Sequence, residues 1–342
     1  MKLRLTIGAL LIGCGLAPAA DTRADFLKLI DRPRVPLAPQ ILPWVAGGAG
    51  IEKTSFSYLS EAGQRVTGLM FRQKPAAGTT VRRPAVIAMH ATGEGKESMA
   101  NLLRDLAAKG FIGVAIDARY HGDRAPGSDG EDTYIAAILR TWRNGGEHPI
   151  FYDTAWDIIR LVDFLETRPE VDGARIGAIG FSKGGMEAFY AAAADPRIGV
   201  IVPCLAVRSF AWELDHDMWQ ALALSLSAAV QGAARDSGEE RVTPDFLRKF
   251  FDRVAPGIYR EFDGPAMTPL IAPRPMLLIN GEVDALTPIA GLMDAVHAAQ
   301  RAYAAADAYD HFMYEIEDNT GHQVTPKALQ MGVDWLVRWL KP

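Results

Sequence analysis

The chain has 342 residues, of which 49% are hydrophobic and 23% charged, an ordinary balance for a globular protein with a sizeable core. Its formal net charge of -5 shows no basic excess, so nucleic acid is excluded as a partner. A chain of this length fits one large domain or two ordinary ones.

The first 19 residues have the order of an export signal. Lys2 and Arg4 precede an apolar run that ends near Leu16, and the small residues of Ala17-Pro18-Ala19 follow. We therefore expect a signal peptide over residues 1–19, cleaved after Ala19, and a secreted or periplasmic protein.

Cys14 leaves a second interpretation of this segment open. The residues Leu11–Cys14 resemble a bacterial lipoprotein box, so a lipid anchor through Cys14 is the alternative to release. No other segment approaches the ~18 uninterrupted apolar residues that a membrane span requires. Cys204 lies in an apolar run, which favours a small buried side chain over a nucleophile.

The region after the signal, residues 20–50, is expected to be a proline-rich arm that packs on the body of the protein. Prolines and then glycines crowd its second part, 31–50, which favours extended backbone. The alternating segments TSFSYLS and QRVTGLMFR follow, separated by Glu61-Ala62-Gly63. This pattern predicts an antiparallel hairpin.

Beyond the hairpin, apolar strands alternate with helical patterns such as TAWDIIRLVDFLETRPE. Strands that are apolar throughout are typical of a parallel sheet with helices on both faces. The predicted fold class is therefore α/β, with a mostly parallel sheet in one domain over residues 51–342. The predicted strands cover 84–90, 111–117, 175–181, 198–204, 275–281 and 311–317.

From about residue 207 to 270 the alternation stops, because two segments have helical patterns and no convincing strand is present. An insertion after a central strand would lie over the carboxyl ends of the strands, where open α/β sheets bind ligands. We expect it to form a lid and to contribute Trp212 and Trp219 to substrate binding. A packed helical appendage without a role in the site is the alternative.

The stretch RIGAIGFSKGGMEAFYAAAADP joins a predicted strand to a predicted helix through a tight turn around Ser182. Gly180 and Gly184 complete the pattern G-x-S-x-G, in which the serine has a strained backbone and projects its hydroxyl above the sheet edge. Ser182 is therefore a candidate nucleophile. An ordinary N-cap serine in a glycine-containing turn is the alternative.

A serine nucleophile needs a base that takes its proton and an acid that orients the base. In this strand–helix order the acid and then the histidine follow the serine, each just past a strand end. Asp284 follows the predicted strand 275–281, and His322 lies in a polar loop after the last strand. The predicted triad is Ser182, Asp284 and His322, with Glu282 as a rival carboxylate.

The tetrahedral intermediate of such a reaction needs hydrogen-bond donors for its oxyanion. The residue after the nucleophile, Lys183, supplies one backbone N–H. The loop after strand 84–90 should supply the other, which we assign to the N–H of Thr92. His90 is then expected to brace this loop rather than to act as a second base.

These motifs together resemble the α/β-hydrolase superfamily. The segments MHATGEGKE, AIDARYHGDR, GFSKGG, GEVDALTP and GHQVTP occur in its order, and the similarity covers about residues 52–341. The chain looks most like the dienelactone-hydrolase-like and acetyl-xylan-esterase-like branches, which implies a serine esterase. Tyr120, within DARYHGDR, is a candidate substrate contact. The likeness of that segment to D-x-x-x-H-G-x-R implies that four residues shape the floor and rim of the site: Asp117, His121, Gly122 and Arg124.

The chain also departs from these relatives. Dienelactone hydrolases proper carry cysteine at the nucleophile position, where this chain has Ser182, so that reaction is not expected. Ala91 replaces the glycine that usually follows the histidine, and Lys183 stands where acetyl-xylan-esterase-like proteins tend to have glutamine. Glucuronoyl esterases place an arginine after the serine, so the cation of Lys183 indicates a substrate or intermediate with negative charge. A lysine that points to the surface is the alternative.

The sequence thus predicts an exported serine carboxylic-ester hydrolase that acts through an acyl-enzyme on small acyl esters or acylated saccharides. A prolyl-oligopeptidase-like peptidase shares the triad order, but residues 20–50 cannot hold the β-propeller that usually precedes such a domain. A noncatalytic binding protein on a hydrolase scaffold is a further alternative, against which the complete triad argues. No H-x-H, H-E-x-x-H or aspartate-rich motif is present, so we expect no metal and no other cofactor.

Overall fold

The structure, a computed structural model, describes residues 19–341 apart from 77, 80, 126, 128 and 129. Nearly all of the predicted signal, including Cys14, therefore lies outside the described residues. Within the described part, no helix is both long enough and apolar enough to cross a membrane.

One ten-stranded sheet forms the centre of the described chain. Its strands are β1 (Gln40–Ile41), β2 (Val45–Gly48), β3 (Ile51–Glu61), β4 (Gln64–Gln73), β5 (Arg83–Met89), β6 (Ile112–Ile116), β7 (Val171–Phe181), β8 (Ile198–Cys204), β9 (Met276–Gly281) and β10 (Phe312–Glu317). They lie in the order β1-β3-β4-β6-β5-β7-β8-β9-β10, and β2 pairs with β3 off this path.

Strand directions divide the sheet into two parts. Neighbours from β6 through β5 to β10 are parallel, whereas β1, β2, β3 and β4 pair antiparallel and β4 meets β6 antiparallel. The expected hairpin is β3–β4, which turns at Ala62-Gly63. All six predicted strands of the second part are present; β8 has the predicted bounds, and β7 begins earlier than predicted, at Val171.

Helices cover both faces of this sheet, as the apolar strands predict. Along β7, Ile176 and Ala178 enter one buried core while Ile179 enters the other, because successive side chains of a strand point to opposite faces. The helices are α1 (Ala19–Ile30), α2 (Ala100–Ala108), α3 (Gly130–Asn144), α4 (Tyr152–Glu166), α5 (Lys183–Ala194), α6 (Phe210–Asp215), α7 (Gln220–Leu224), α8 (Ser227–Asp236), α9 (Pro244–Val254), α10 (Gly264–Met267), α11 (Ile289–Ala305) and α12 (Pro326–Leu340). The first core includes side chains of α4, α5 and α11, and the second includes those of α2 and α12. The α/β fold class predicted from the sequence is confirmed.

The start of the described chain differs from the expected arm over residues 20–50. Residues 19–30 form α1, in which Phe26 and Ile30 are fully buried in the first core. The guanidinium of Arg23 on the same helix donates to the carbonyl of Ala193 at 3.0 Å. Apolar residues four positions apart lie on one face of a helix. Helix α1 therefore packs this face against the body of the protein, whereas an extended arm was expected. The proline-containing and glycine-containing stretch 31–50 is extended, with β1 and β2 in it.

The segment 207–270 is helical throughout its regular parts and carries α6 to α10. Helix α9 buries Phe246, Phe250 and Phe251 in the first core. The buried carboxylate of Asp263 accepts hydrogen bonds from the N–H of Phe210 at 2.8 Å and of Gly264 at 2.8 Å, which ties the two ends of the segment together. The insertion is therefore packed as part of the body.

Candidate active site

Ser182 stands at the sharp turn between β7 and α5. Its backbone has φ 51° and ψ -120°, a conformation that is rare and strained for a residue with a side chain. A Cβ atom on Gly184 would lie 2.3 Å from the carbonyl oxygen of His90, and one on Gly180 would lie 2.4 Å from the carbonyl oxygen of Gly184. The turn can form only because both positions lack a side chain, as the motif predicts.

The structure brings the three residues of the predicted triad into direct contact. The Nε2 atom of His322 lies 2.8 Å from Oγ of Ser182, and its Nδ1 atom lies 2.8 Å from Oδ2 of Asp284. Ser182 follows β7, Asp284 follows β9 and His322 follows β10, so each comes from the carboxyl end of a parallel strand. Residues up to 140 positions apart meet because those strand ends share one edge of the sheet.

The rival carboxylates Asp284 and Glu282 have different surroundings. Asp284 is buried, and its second oxygen, Oδ1, accepts hydrogen bonds from the N–H of Leu286 at 2.8 Å and of Thr287 at 3.0 Å. Glu282 is exposed and accepts a hydrogen bond from the N–H of Asn319 at 2.9 Å. Of the two carboxylates, Asp284 is therefore the one that contacts the histidine.

The two expected oxyanion donors belong to residues that line one cavity with Ser182. Lys183 is the first residue of α5, a position at which a backbone N–H has no partner within the helix. The side chain of Ser182 does not cap that helix. Thr92, in the loop after β5, lines the same cavity. The positions suit a pair of backbone donors on one side of the serine.

His90 braces the loop that carries Thr92. Its Nε2 accepts a hydrogen bond from the N–H of Ala118 at 3.0 Å, and its Nδ1 lies 2.8 Å from the carbonyl oxygen of Ala91. Burial, helped by the ammonium of Lys183, lowers the pKa of His90 to about 4, so the ring is neutral at pH 7. A neutral ring that accepts at Nε2 carries its proton on Nδ1, and that proton is donated to Ala91.

The ammonium of Lys183 is buried rather than directed to the surface. The side chain pairs with the carboxylate of Glu187, one helical turn on, and Nζ lies 5.0 Å from the ring centre of Tyr134. Burial lowers the pKa of Lys183, against the attraction of Glu187, and burial raises the pKa of Glu187. The alternative of a lysine that points to the surface is therefore wrong, because the side chain of Lys183 is buried against Glu187.

The residues of the DARYHGDR segment lie beside the cavity of Ser182 and do not line it. Burial acts to raise the pKa of Asp117, but hydrogen bonds from Lys96 and Thr67 outweigh it and lower the pKa. A Cβ atom on Gly122 would lie 2.1 Å from Oδ1 of Asp117, so the glycine is needed for this packing. Within the segment, the buried ring of His121 lies 5.4 Å from the ring of His90, and the guanidinium of Arg124 pairs with Asp157.

Three expected substrate contacts, Tyr120, Trp212 and Trp219, are not among the residues that line the cavity of Ser182. The Tyr120 hydroxyl donates to Glu147 at 3.1 Å instead. Trp212 stacks on His216, with 4.2 Å between the ring centroids. Residues two positions apart on a helix face different sides, and it is Phe210 that lines the cavity. Trp219 packs, partly buried, against the first core.

The insertion nevertheless contributes to the cavity, through other side chains than the tryptophans. Besides Arg208, the insertion residues that line it are Phe210, Leu222, Ser225, Leu226 and Phe251. Apolar residues dominate this part of the lining, which suits an uncharged part of a ligand. The sequence signal was the helical apolar pattern of the insertion, which does not say which face turns inward.

Arg208 is a cavity residue that the sequence analysis missed. It lies just beyond β8, lines the cavity with Ser182 and is 7% exposed. The signal that could have found it is a cation in the sequence CLAVRS, directly after an apolar strand, because ligand-binding residues of α/β folds concentrate at strand ends.

Neither a reactive cysteine nor a metal-binding group is found among the described residues. Cys204 is buried, and burial raises the pKa of its thiol, as expected for a packing residue. Across the part of the chain that is described, no group of three or more His, Cys, Asp or Glu side chains could hold a metal ion.

Comparison with known proteins gives three kinds of similarity. A family model described as glucuronyl esterase of fungi matches residues 74–307. The YtaP protein of Bacillus subtilis (strain 168), whose name places it among hydrolases, is 26% identical over 270 residues, which is 75% of this chain and 79% of that one. The 4-O-methyl-glucuronoyl methylesterase of Hypocrea jecorina (strain QM6a) is 31% identical over 159 residues, which is 45% of this chain and a third (33%) of that enzyme.

A solved structure shows the same fold at lower sequence identity. The acetyl xylan esterase from Paenibacillus sp. R4 aligns with a TM-score of 0.64 over 94% of this chain and 93% of that chain, at 19% identity. At this identity the likeness speaks for the fold alone, which is that of the α/β hydrolases.

Proposed function

The chain belongs to the glucuronyl esterase family, a family of carboxylic-ester hydrolases, and we propose that it cleaves esters of carbohydrates with Ser182 as its nucleophile. The observation that carries this proposal is the pair of 2.8 Å contacts that His322 makes with Ser182 and Asp284. A hydroxyl held against an imidazole, which is itself held by a buried carboxylate, is the arrangement that activates a serine.

In the acylation step, Nε2 of His322 takes the Oγ proton while Oγ of Ser182 attacks the ester carbonyl carbon. Asp284 keeps Nδ1 protonated and stabilises the imidazolium that forms. The negative oxygen of the tetrahedral intermediate accepts hydrogen bonds from the N–H groups of Thr92 and Lys183. The C–O bond to the alcohol then breaks, and Nε2 returns its proton to the leaving alcohol.

In the second half of the cycle, water takes the place of the alcohol. His322 removes a proton from the water, and the resulting hydroxide attacks the acyl carbon on Ser182. The same N–H groups hold the second oxyanion. Collapse releases the carboxylic acid and restores the serine hydroxyl, so one ester and one water give one acid and one alcohol.

The carbohydrate part of the proposal rests on the family. The fungal relative named above is a methylesterase of 4-O-methyl-glucuronate, and we propose a uronate or acylated saccharide ester for this chain as well. The apolar residues Phe210, Leu222 and Phe251 on one side of the cavity suit the uncharged face of a sugar ring or an acyl group.

We also propose that the protein meets this substrate outside the cytosol, with the signal-like composition of residues 1–19 as support. The intact mass of the mature protein from its native host tests this point. Loss of the first 19 residues supports release, a diacylglycerol adduct on Cys14 supports the anchored form, and an unprocessed chain would contradict both.

The function is tested with a panel of substrates on the purified enzyme. The methyl ester of a glucuronoside, acetylated xylan, p-nitrophenyl acetate and an aminoacyl p-nitroanilide are compared side by side. We expect turnover of the esters, with a sugar ester preferred, and none of the anilide. Cleavage of the anilide would favour a peptidase, and binding of the sugar esters without turnover of any substrate would favour a noncatalytic protein.

A further inference from the structure

A buried ion pair at the wall of the cavity has no part in the reaction just described. Arg208 lines the cavity, and the carboxylate behind it belongs to Glu213, which is fully buried. Nε of Arg208 donates to Oε1 of Glu213 at 2.9 Å, and Nη2 donates to Oε2. Nη1 donates to the carbonyl oxygen of Leu286. These contacts use three of the five guanidinium N–H donors and leave two without a protein partner among the described residues.

The position of Arg208 relative to the serine follows from the order of the strands. The loop after β5 carries Thr92, the turn after β7 carries Ser182, and the loop after β8 carries Arg208. Because β7 lies between β5 and β8, Thr92 and Arg208 flank the serine on opposite sides. The ester carbonyl oxygen is directed toward Thr92 in the proposed reaction. Arg208 is therefore placed for the remaining atoms of the substrate and not for the oxyanion.

Burial of this ion pair is energetically unfavourable compared with apolar packing. Removing two charges from water costs free energy, and apolar side chains of similar volume often stabilise a protein more than such a pair does. The carboxylate of Glu213 also requires a glycine at position 291, because a Cβ atom on Gly291 would lie 2.6 Å from Oε1 of Glu213. The neighbouring cavity residues Phe210 and Leu222 are apolar. A guanidinium here is useful if a ligand takes up its two remaining donors.

We propose that Arg208 is a specificity-determining residue that donates hydrogen bonds to hydroxyl or ring oxygens of a sugar, on the side of Ser182 away from the oxyanion donors. The proposal rests on the proposed esterase function. Glu213 balances the charge of the guanidinium, so the pair offers donors rather than net charge, which suits neutral oxygens. A simple alkyl ester has no oxygen for these donors beyond the ester itself. The preferred substrate is then a sugar ester.

The test compares esters that differ only in their hydroxyl groups. The first pair is the methyl ester of a methyl glucuronoside and methyl tetrahydropyran-2-carboxylate, with the ring on the acyl side. The second pair is an acetylated methyl xyloside and cyclohexyl acetate, with the ring on the alcohol side. The measured quantity is the ratio of kcat/KM within each pair, for the wild type and for two changes at the ion pair. These are Arg208→Lys and the double change Arg208→Met with Glu213→Leu, which leaves no unpaired buried charge.

In at least one pair we expect the wild type to prefer the hydroxylated ester, and both changes to lower that ratio by about tenfold to a hundredfold, the range for hydrogen bonds to a charged donor. Arg248→Lys serves as the matched control, because this arginine of the same insertion pairs with Asp215 and does not line the cavity, and it should leave the ratio unaltered. Equal losses on both members of each pair would mean that Arg208 only supports the fold, and would overturn the proposal. A wild type that does not prefer the hydroxylated ester in either pair would overturn it too.

The failure of this proposal can be told from the failure of the esterase function with p-nitrophenyl acetate. If hydrolysis of that ester depends on Ser182 while the Arg208 changes leave the ratios untouched, only the role of Arg208 is wrong. If hydrolysis of the aryl ester does not depend on Ser182, the esterase mechanism itself is wrong, and the role of Arg208 falls with it.

Discussion

The ring of His90 and the backbone of Ala118 are joined by a hydrogen bond of 3.0 Å, in which the N–H of Ala118 donates to Nε2. The other ring nitrogen donates to the carbonyl of Ala91, and that carbonyl belongs to the same peptide unit as the N–H of Thr92. Because a peptide unit is planar, holding its C=O fixes the direction of its N–H. His90 thus ties the proposed oxyanion donor to the end of β6.

From this relationship we predict that His90→Ala lowers kcat for aryl acetate hydrolysis by up to about 10², with a small change in KM, because a misdirected donor is missed mainly in the transition state. His90→Asn, which keeps a donor near the position of Nδ1, should recover part of the loss. Thr92→Ala keeps the backbone N–H and is the control. A fall in Tm with kcat unaltered would mean that His90 only packs.

Replacement of the nucleophile gives the second prediction. Ser182→Ala should lower kcat by about 10⁶, as loss of the nucleophile does in comparable triads, because the alanine has no oxygen to form the acyl-enzyme. An organophosphonate should label Ser182 of the wild type and not the variant, as read by peptide mass. A variant that retains more than a few per cent of the wild-type rate would remove Ser182 from the mechanism.

The acid of the triad gives the third prediction. Asp284→Asn keeps the shape of the side chain but removes the charge that stabilises the imidazolium, so kcat should fall by about 10⁴. Glu282→Gln is the matched control, since this exposed carboxylate contacts the N–H of Asn319 and not the histidine, and it should change kcat less than threefold, roughly the effect of a surface substitution. The opposite pattern of losses would assign the acid to Glu282.

The fourth prediction concerns the apolar part of the cavity. Leu222→Ala enlarges the space beside Ser182, so the ratio of kcat/KM for p-nitrophenyl butyrate to that for the acetate should rise by about tenfold, the order expected for one or two methylenes in an apolar pocket. Trp212 and Trp219 do not line the cavity, so their replacement by alanine should leave this ratio unaltered. If the tryptophan changes shift the ratio and Leu222→Ala does not, the inner face of the insertion has been assigned to the wrong residues.

Several features were predictable because they depend on residues that are close together in the sequence. A strand that is buried on both faces has to be apolar throughout, so the strands of the parallel sheet could be found one by one. The turn at Ser182 tolerates only glycine at Gly180 and Gly184, and this steric requirement appears as a fixed spacing in the sequence. Asp284 and His322 could be predicted because the fold places the acid and the base after strands that follow the nucleophile.

Other features depend on contacts between distant segments, and such contacts could not be predicted from the sequence. Phe26 and Ile30 show that residues 19–30 form a docked helix, but only the packed body offers the surface that makes such a short helix stable. The choice of Phe210 over Trp212 as a cavity residue depends on the rotation of α6, which its contacts with the rest of the protein fix. The pairing of Arg208 with Glu213 and Leu286 likewise needs three segments to meet. Local spacing thus determines which chemical groups are present and where each strand ends, whereas packing determines which side chains turn toward the serine.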